Sequence, residues 1–149
     1  MMTFIETADL CIGVDLVNVP ELSAMLDASA ATFRDMCWTA AEQEICQGSA
    51  ERLAARWAAK EAVMKALGHG IGEIDPLDVE IVGKEGQRPC IRLRGAAERF
   101  AAALGRTDWA LSMSHESDLA IAFVVARRQS DDGTQHLRPI PTTRERAGK

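Results

Sequence analysis

The chain has 149 residues, which fits one domain and is enough to bury a core without staples. Its 47% hydrophobic and 26% charged residues are ordinary for a globular protein, and no apolar run approaches the roughly 18 residues needed to span a bilayer. A net charge of −5 argues against a general nucleic-acid binder.

The opening MMTFIETAD has two acids and no basic start, so a secretory signal is not expected. Cys11, Cys37, Cys46 and Cys90 form no C-x-x-C pair and read as reduced, mostly buried thiols of a cytoplasmic protein. Leu10, Ile12, Val14 and Leu16 alternate with Cys11, Gly13, Asp15 and Val17, which predicts a strand with Asp15 opposite the large aliphatics. Asn18 before Pro20 and Glu21 fits a helix start, with Asn18 as N-cap. The following LSAMLDASAATF continues that helix or frays into a loop. Thr39 and Glu42 form a capping box for a helix that stops at Gly48.

A third helix is predicted from about residue 51 to Leu67, closed by Gly68. Leu53, Trp57, Met64 and Leu67 supply its core side, and its alanines allow close approach of other backbones. LDVEIV and PCIRLRG read as a hairpin, GAAERFAAALG as a helix, and DWALSMSH and LAIAFVVA as an antiparallel pair. The alanine face of that pair offers a flat seat for the alanine-rich helix. Residues 1–128 are therefore expected to form one α+β domain with a mostly antiparallel sheet packed on that helix. Residues 129–149 are polar and aperiodic and are expected to be a disordered tail.

Several residues are candidates for chemistry, each with a plain alternative. Asp15 inside an aliphatic strand must be paired, hydrogen-bonded or metal-bound, or it caps the next turn. Glu61 and Lys65 have the spacing of an ordinary helix ion pair. If Asp15 and Glu61 met, they would make a hard-oxygen site suited to magnesium. The GHGIG stretch after the helix is either a phosphate-approach loop or a C-cap and turn. Ser114 and His115 are adjacent on a strand, so they point to opposite faces and make a poor nucleophile–base pair. Basic clusters at Arg52, Arg56, Lys60 and Lys65, and at Arg88, Arg92, Arg94 and Arg99, could meet a polyanion or be solvated faces. Lys60 reads as a solvated or structural charge.

Five segments in order, IGVDLV, FRDMCWTAAEQEIC, RWAAKEAVMKALGHGIG, RPCIRLRG and SMSHESDLAIAFVVA, resemble the holo-acyl-carrier-protein synthase family of short 4′-phosphopantetheinyl transferases. The resemblance covers about residues 10 to 126. It implies transfer of the 4′-phosphopantetheine of coenzyme A to a serine hydroxyl of an apo carrier protein, with magnesium as cofactor and 3′,5′-ADP released. It puts the metal ligands at Asp15 and Glu61, the pyrophosphate lysine at Lys65 and the 3′-phosphate arginine at Arg56. The glycine loop falls on Gly68, His69 and Gly70, and Ser114 and His115 fall near the bound coenzyme. Glu61 and Lys65 carry the catalysis in this assignment, although the base that takes the serine proton stays open between Glu61, a water and another group.

The resemblance also implies a homotrimer of the phosphopantetheinyl transferase fold, with sites between subunits; a cytoplasmic location and no membrane or nucleic-acid partner are expected from the thiols, the apolar runs and the net charge. The carrier could serve fatty-acid, polyketide or peptide synthesis. Departures stand at Glu21, where the family often has a carrier-docking arginine, at Asn18 where an acid is common, and at Val17, Met64 and His69. An inactive trimeric module that binds coenzyme A or a carrier on the same fold is the alternative. An unrelated coenzyme A-binding protein sharing only the basic helix is a further one.

Overall fold

The alternation from Leu10 onward folds as strand β1, Leu10–Asn18, in a computed structural model that describes residues 10–83 and 86–128. Asn18 then caps helix α1, Val19–Ala28, its Oδ1 accepting from the Glu21 backbone N–H at 2.9 Å. The stretch left open between helix and loop holds a separate second helix, α2, Ala30–Cys37. It has no side-chain cap, so packing rather than local signals defines it: Phe33 meets Trp38 edge-on with ring centroids 5.8 Å apart. Helix α3, Ala40–Cys46, carries both halves of the Thr39–Glu42 capping box. It ends one residue earlier than Gly48 suggests, on Gln47 in the left-handed conformation.

Helix α4, Ala50–Leu67, starts on a Ser49 cap and stops on Gly68 at φ 76°. Next come a 3-10 turn at Pro76–Asp78, the antiparallel hairpin β2 (Val79–Val82) and β3 (Cys90–Leu93), and helix α5, Gly95–Ala103. Strands β4, Arg106–Glu116, and β5, Leu119–Arg128, close the fold. The larger sheet has the order β1-β5-β4, antiparallel throughout, with Asp15 opposite Ala122 and Ala122 opposite Met113. The expected tail at 129–149 lies outside the described residues.

The alanine seat is present. Ala58, Ala59, Ala62 and Ala66 of α4 are buried with Ala122 and Val124 of β5 in one core. A second core joins Leu22 and Leu26 of α1 to Trp38, Leu53, Ala54 and Ala120. Gly13 sets how closely α4 lies on β1. A Cβ there would stand 1.8 Å from the Ala62 carbonyl oxygen, so only glycine allows the approach.

Lys60 is structural. It is 0% exposed, and its Nζ donates to Glu42 Oε2 at 2.8 Å and to the carbonyls of Pro76 and Val79. Glu42 Oε1 also accepts from the Ile81 N–H, so one ion pair ties α3, α4 and β2 together. Burial lowers the Lys60 pKa, and the Glu42 carboxylate opposes that shift. Arg92 and Arg94 of the second basic cluster are held on the buried Glu80 at 2.9 and 3.1 Å. The cysteines are free, with Cys37 and Cys46 buried, Cys11 half-buried and Cys90 exposed. Burial pushes the Cys37 thiol up to about 11.

Among the described residues, nothing covers the opposite face of the larger sheet. Ile12, Val14 and Leu16 of β1 and Leu119, Ile121 and Phe123 of β5 are exposed by 38 to 64%. Among the described residues, no helix is long and apolar enough to cross a membrane.

Candidate active site

Helix α4 crosses β1 where Gly13 admits it, and this brings residues 46 positions apart together. Asp15 and Glu61 are close enough for Asp15 to act directly on the Glu61 carboxyl. Burial raises the pKa of Glu61 and the Asp15 charge raises it further, while Lys65 and a hydrogen bond with Trp57 oppose the shift. Lys65 does not make the simple i,i+4 bridge. Its Nζ reaches across to Asp15 Oδ1 at 2.7 Å and to the Val14 carbonyl oxygen at 3.1 Å. The bond to Asp15 lifts the Lys65 pKa. The two carboxylates and the lysine thus form one cluster at the C-terminal half of α4.

Arg56, Ser114 and His115 form a second cluster. They line a cleft of about 190 Å³ together with Arg52, Gly83 and Pro89. Arg56 is only 6% exposed, its Nη2 donating to the Gly83 carbonyl at 3.1 Å. Its Nε is buried with no hydrogen-bond partner among the described residues. Ser114 and His115 alternate faces as β-geometry requires, yet both reach the cleft because they stand near the end of β4. They also line a depression with Leu16, Leu119 and Ile121 of the bare face. Arg56 and Lys65 are nine residues apart, about 13 Å along the helix, so one chain presents two subsites rather than one pocket.

The glycine loop leaves the end of α4. Gly68 is the left-handed cap, so the plain reading of that residue holds. His69 stacks on Phe100 with centroids 3.6 Å apart, and its Nδ1 lies 3.1 Å from Glu73 Oε1. That contact holds the Glu73 carboxyl below its ordinary range. Gly70 accepts from the N–H groups of Glu73 and Ile74 through its carbonyl, closing the turn. Among the described residues, no group of three or more His, Cys, Asp or Glu side chains could hold a metal ion. The donor set at Asp15 and Glu61 is two carboxylates, which suits a hard cation that completes its shell with water and phosphate.

Sequence reasoning gave no role to Gly13 or to Trp57 beyond packing. A glycine inside an aliphatic strand is the available signal for the first. For the second, the i,i+4 spacing from Trp57 to Glu61 is the signal.

The profile of the 4′-phosphopantetheinyl transferase superfamily, ACPS, matches residues 11–124. The chain is 41% identical over 123 residues to a holo-(acyl-carrier-protein) synthase of Herpetosiphon aurantiacus, covering 78% of this chain and 97% of that one. It is 42% identical over 117 residues to one of Gloeobacter violaceus, covering 76% and 89%. Among solved structures, the holo-(acyl-carrier-protein) synthase of Neisseria meningitidis aligns with a TM-score of 0.71 at 31% identity, over 79% of this chain and 98% of that one. The ACPS–CoA complex of Chronobacterium ammoniagenes aligns with a TM-score of 0.71 at 29% identity, over 81% and 98%. This chain belongs to the ACPS family of the 4′-phosphopantetheinyl transferase superfamily.

Proposed function

We propose that the chain is a holo-acyl-carrier-protein synthase that moves the 4′-phosphopantetheine of coenzyme A to a serine hydroxyl of an apo carrier protein, releasing 3′,5′-ADP. The observation that carries this reading is the meeting of Asp15, Glu61 and Lys65 across β1 and α4. Phosphoryl transfer asks a protein for positioning and charge neutralisation more than for covalent help. Asp15 and Glu61 would hold a magnesium ion, whose chemistry is to neutralise charge on the phosphate oxygens. Lys65 is exposed and long enough to put a second positive charge on the pyrophosphate. Arg56, with a buried guanidinium nitrogen still to be satisfied, suits the 3′-phosphate, and His115 shares its cleft. His69, stacked on Phe100, would hold the loop from Gly68 to Gly70 against the coenzyme.

A homotrimer completes the reading. The bare aliphatic face needs a cover, and Ser114 and His115 sit where the coenzyme cleft adjoins that face. A neighbour packed there would bring its own surface to the two subsites. The cytoplasm is the proposed location, in keeping with four free thiols. The test is incubation with apo carrier proteins, coenzyme A and magnesium, read by mass spectrometry. The expected result is the mass gain of one phosphopantetheine, lost when magnesium is chelated. No gain on any of several carriers would leave the inactive binding module as the better reading.

A further inference from the structure

Lys65 takes the Asp15 carboxylate as its partner. Its ammonium donates to Asp15 Oδ1 at 2.7 Å and to the Val14 carbonyl at 3.1 Å. The carboxylate is fixed on a strand and 11% exposed, while the lysine side chain is 56% exposed on a flexible stem. One partner is therefore held and the other can swing away. Asp15 also interacts directly with Glu61. Without a cation, two acids sit together in a half-buried place, and the ammonium is what offsets their repulsion.

We propose that Lys65 blocks the metal site of the free protein by occupying Asp15, and that the phosphates of coenzyme A release the block by drawing the lysine to themselves. The inference rests on the reading of Asp15 and Glu61 as cation ligands. An ammonium and a divalent cation cannot both take the Oδ1 lone pair that Lys65 now uses. In the free state the lysine offsets the Asp15 charge and leaves Glu61 without an ion-pair partner among the described residues. In the loaded state the cation would neutralise both acids and the lysine would move to phosphate. Binding of cation and coenzyme is then positively coupled, and the coupling is reciprocal.

The experiment is calorimetric titration of the full chain with Mn2+ alone, comparing wild type with Lys65→Met and Lys65→Gln. Circular dichroism confirms that each variant is folded. Both variants should bind Mn2+ about two- to fivefold more tightly than wild type. Unchanged or weaker binding overturns the block. Long-range charge repulsion would also favour the variants, so the comparison is repeated in about 1 M KCl, where the Debye length is about 3 Å. An advantage that vanishes there overturns direct occupation, whereas one that persists supports it. Adding coenzyme A should raise Mn2+ affinity by a larger factor in wild type than in Lys65→Met, and equal factors overturn the release step. If wild type and variants alike bind no Mn2+, or if Glu61→Gln binds it as wild type does, the metal reading itself fails and this inference falls with it. A block that fails while Glu61→Gln still abolishes binding leaves the metal reading standing.

Discussion

Glu61 is under tension in the absence of a cation. Burial and the Asp15 charge raise its pKa in the folded chain, and neither acts once the chain unfolds. The native state therefore binds more protons than the unfolded state between the ordinary carboxylate value and the raised one. Stability falls as pH rises through that window. Glu61→Gln removes the cost, so metal-free thermal unfolding at pH 7 should occur at a Tm equal to or above that of wild type. The same variant should lose about 100-fold or more of its magnesium-dependent transfer. A lower Tm would contradict the tension, and unchanged turnover would contradict the ligand role. At this scale the sequence was legible only where partners are local. The i,i+4 spacing of Glu61 and Lys65 is visible along the helix, but the partner Lys65 takes is 50 residues away, on a strand. Lys60 carries the same kind of charge five residues earlier and is fully buried on Glu42, a fate that periodicity alone does not assign.

Elements were read well where they carry their own punctuation. Asn18, the Thr39–Glu42 box and Gly68 mark helix ends through bonds spanning three or four residues, and each is found as expected. Helix α2 lacks such a mark and owes its existence to Phe33 and Trp38, so it was not separable from a loop. The pairing of β1 with β5, more than a hundred residues apart, has no local signature either. The placement of α4 on β1 depends on Gly13. Gly13→Ala must push the helix off the Ala62 carbonyl, which should lower stability by about 1–3 kcal/mol. Because Glu61 rides on that helix, transfer should fall more than a stability loss of that size explains. The denaturant midpoint and the turnover of the fully folded fraction measure the two effects separately. An unchanged midpoint would show that the close approach is not required.

For the whole molecule, the α+β class and the antiparallel sheet followed from the strand patterns, whereas the order of strands and the division into two sheets did not. The alternation that identified β1 also put its large aliphatics on a face that nothing among the described residues covers. Phe123→Asp places a charge in the middle of that face, at a residue 45% exposed in the single chain. Light scattering should find a trimer for wild type and a monomer for the variant, with transfer reduced about tenfold or more because the subsites lose their neighbour. An unchanged mass would remove this face from the assembly.

Strand β1 carries more than one duty at each step. Val14 points its side chain at the proposed neighbour while its carbonyl holds Lys65, and the next residue is Asp15. In the proposed trimer, subunit contact on one side of the strand would stiffen the backbone from which the carboxylate hangs on the other. Assembly and affinity for the proposed cation would then share a free-energy cycle, each strengthening the other by the same amount. A dissociation constant for that cation would have a definite meaning only at a stated protein concentration.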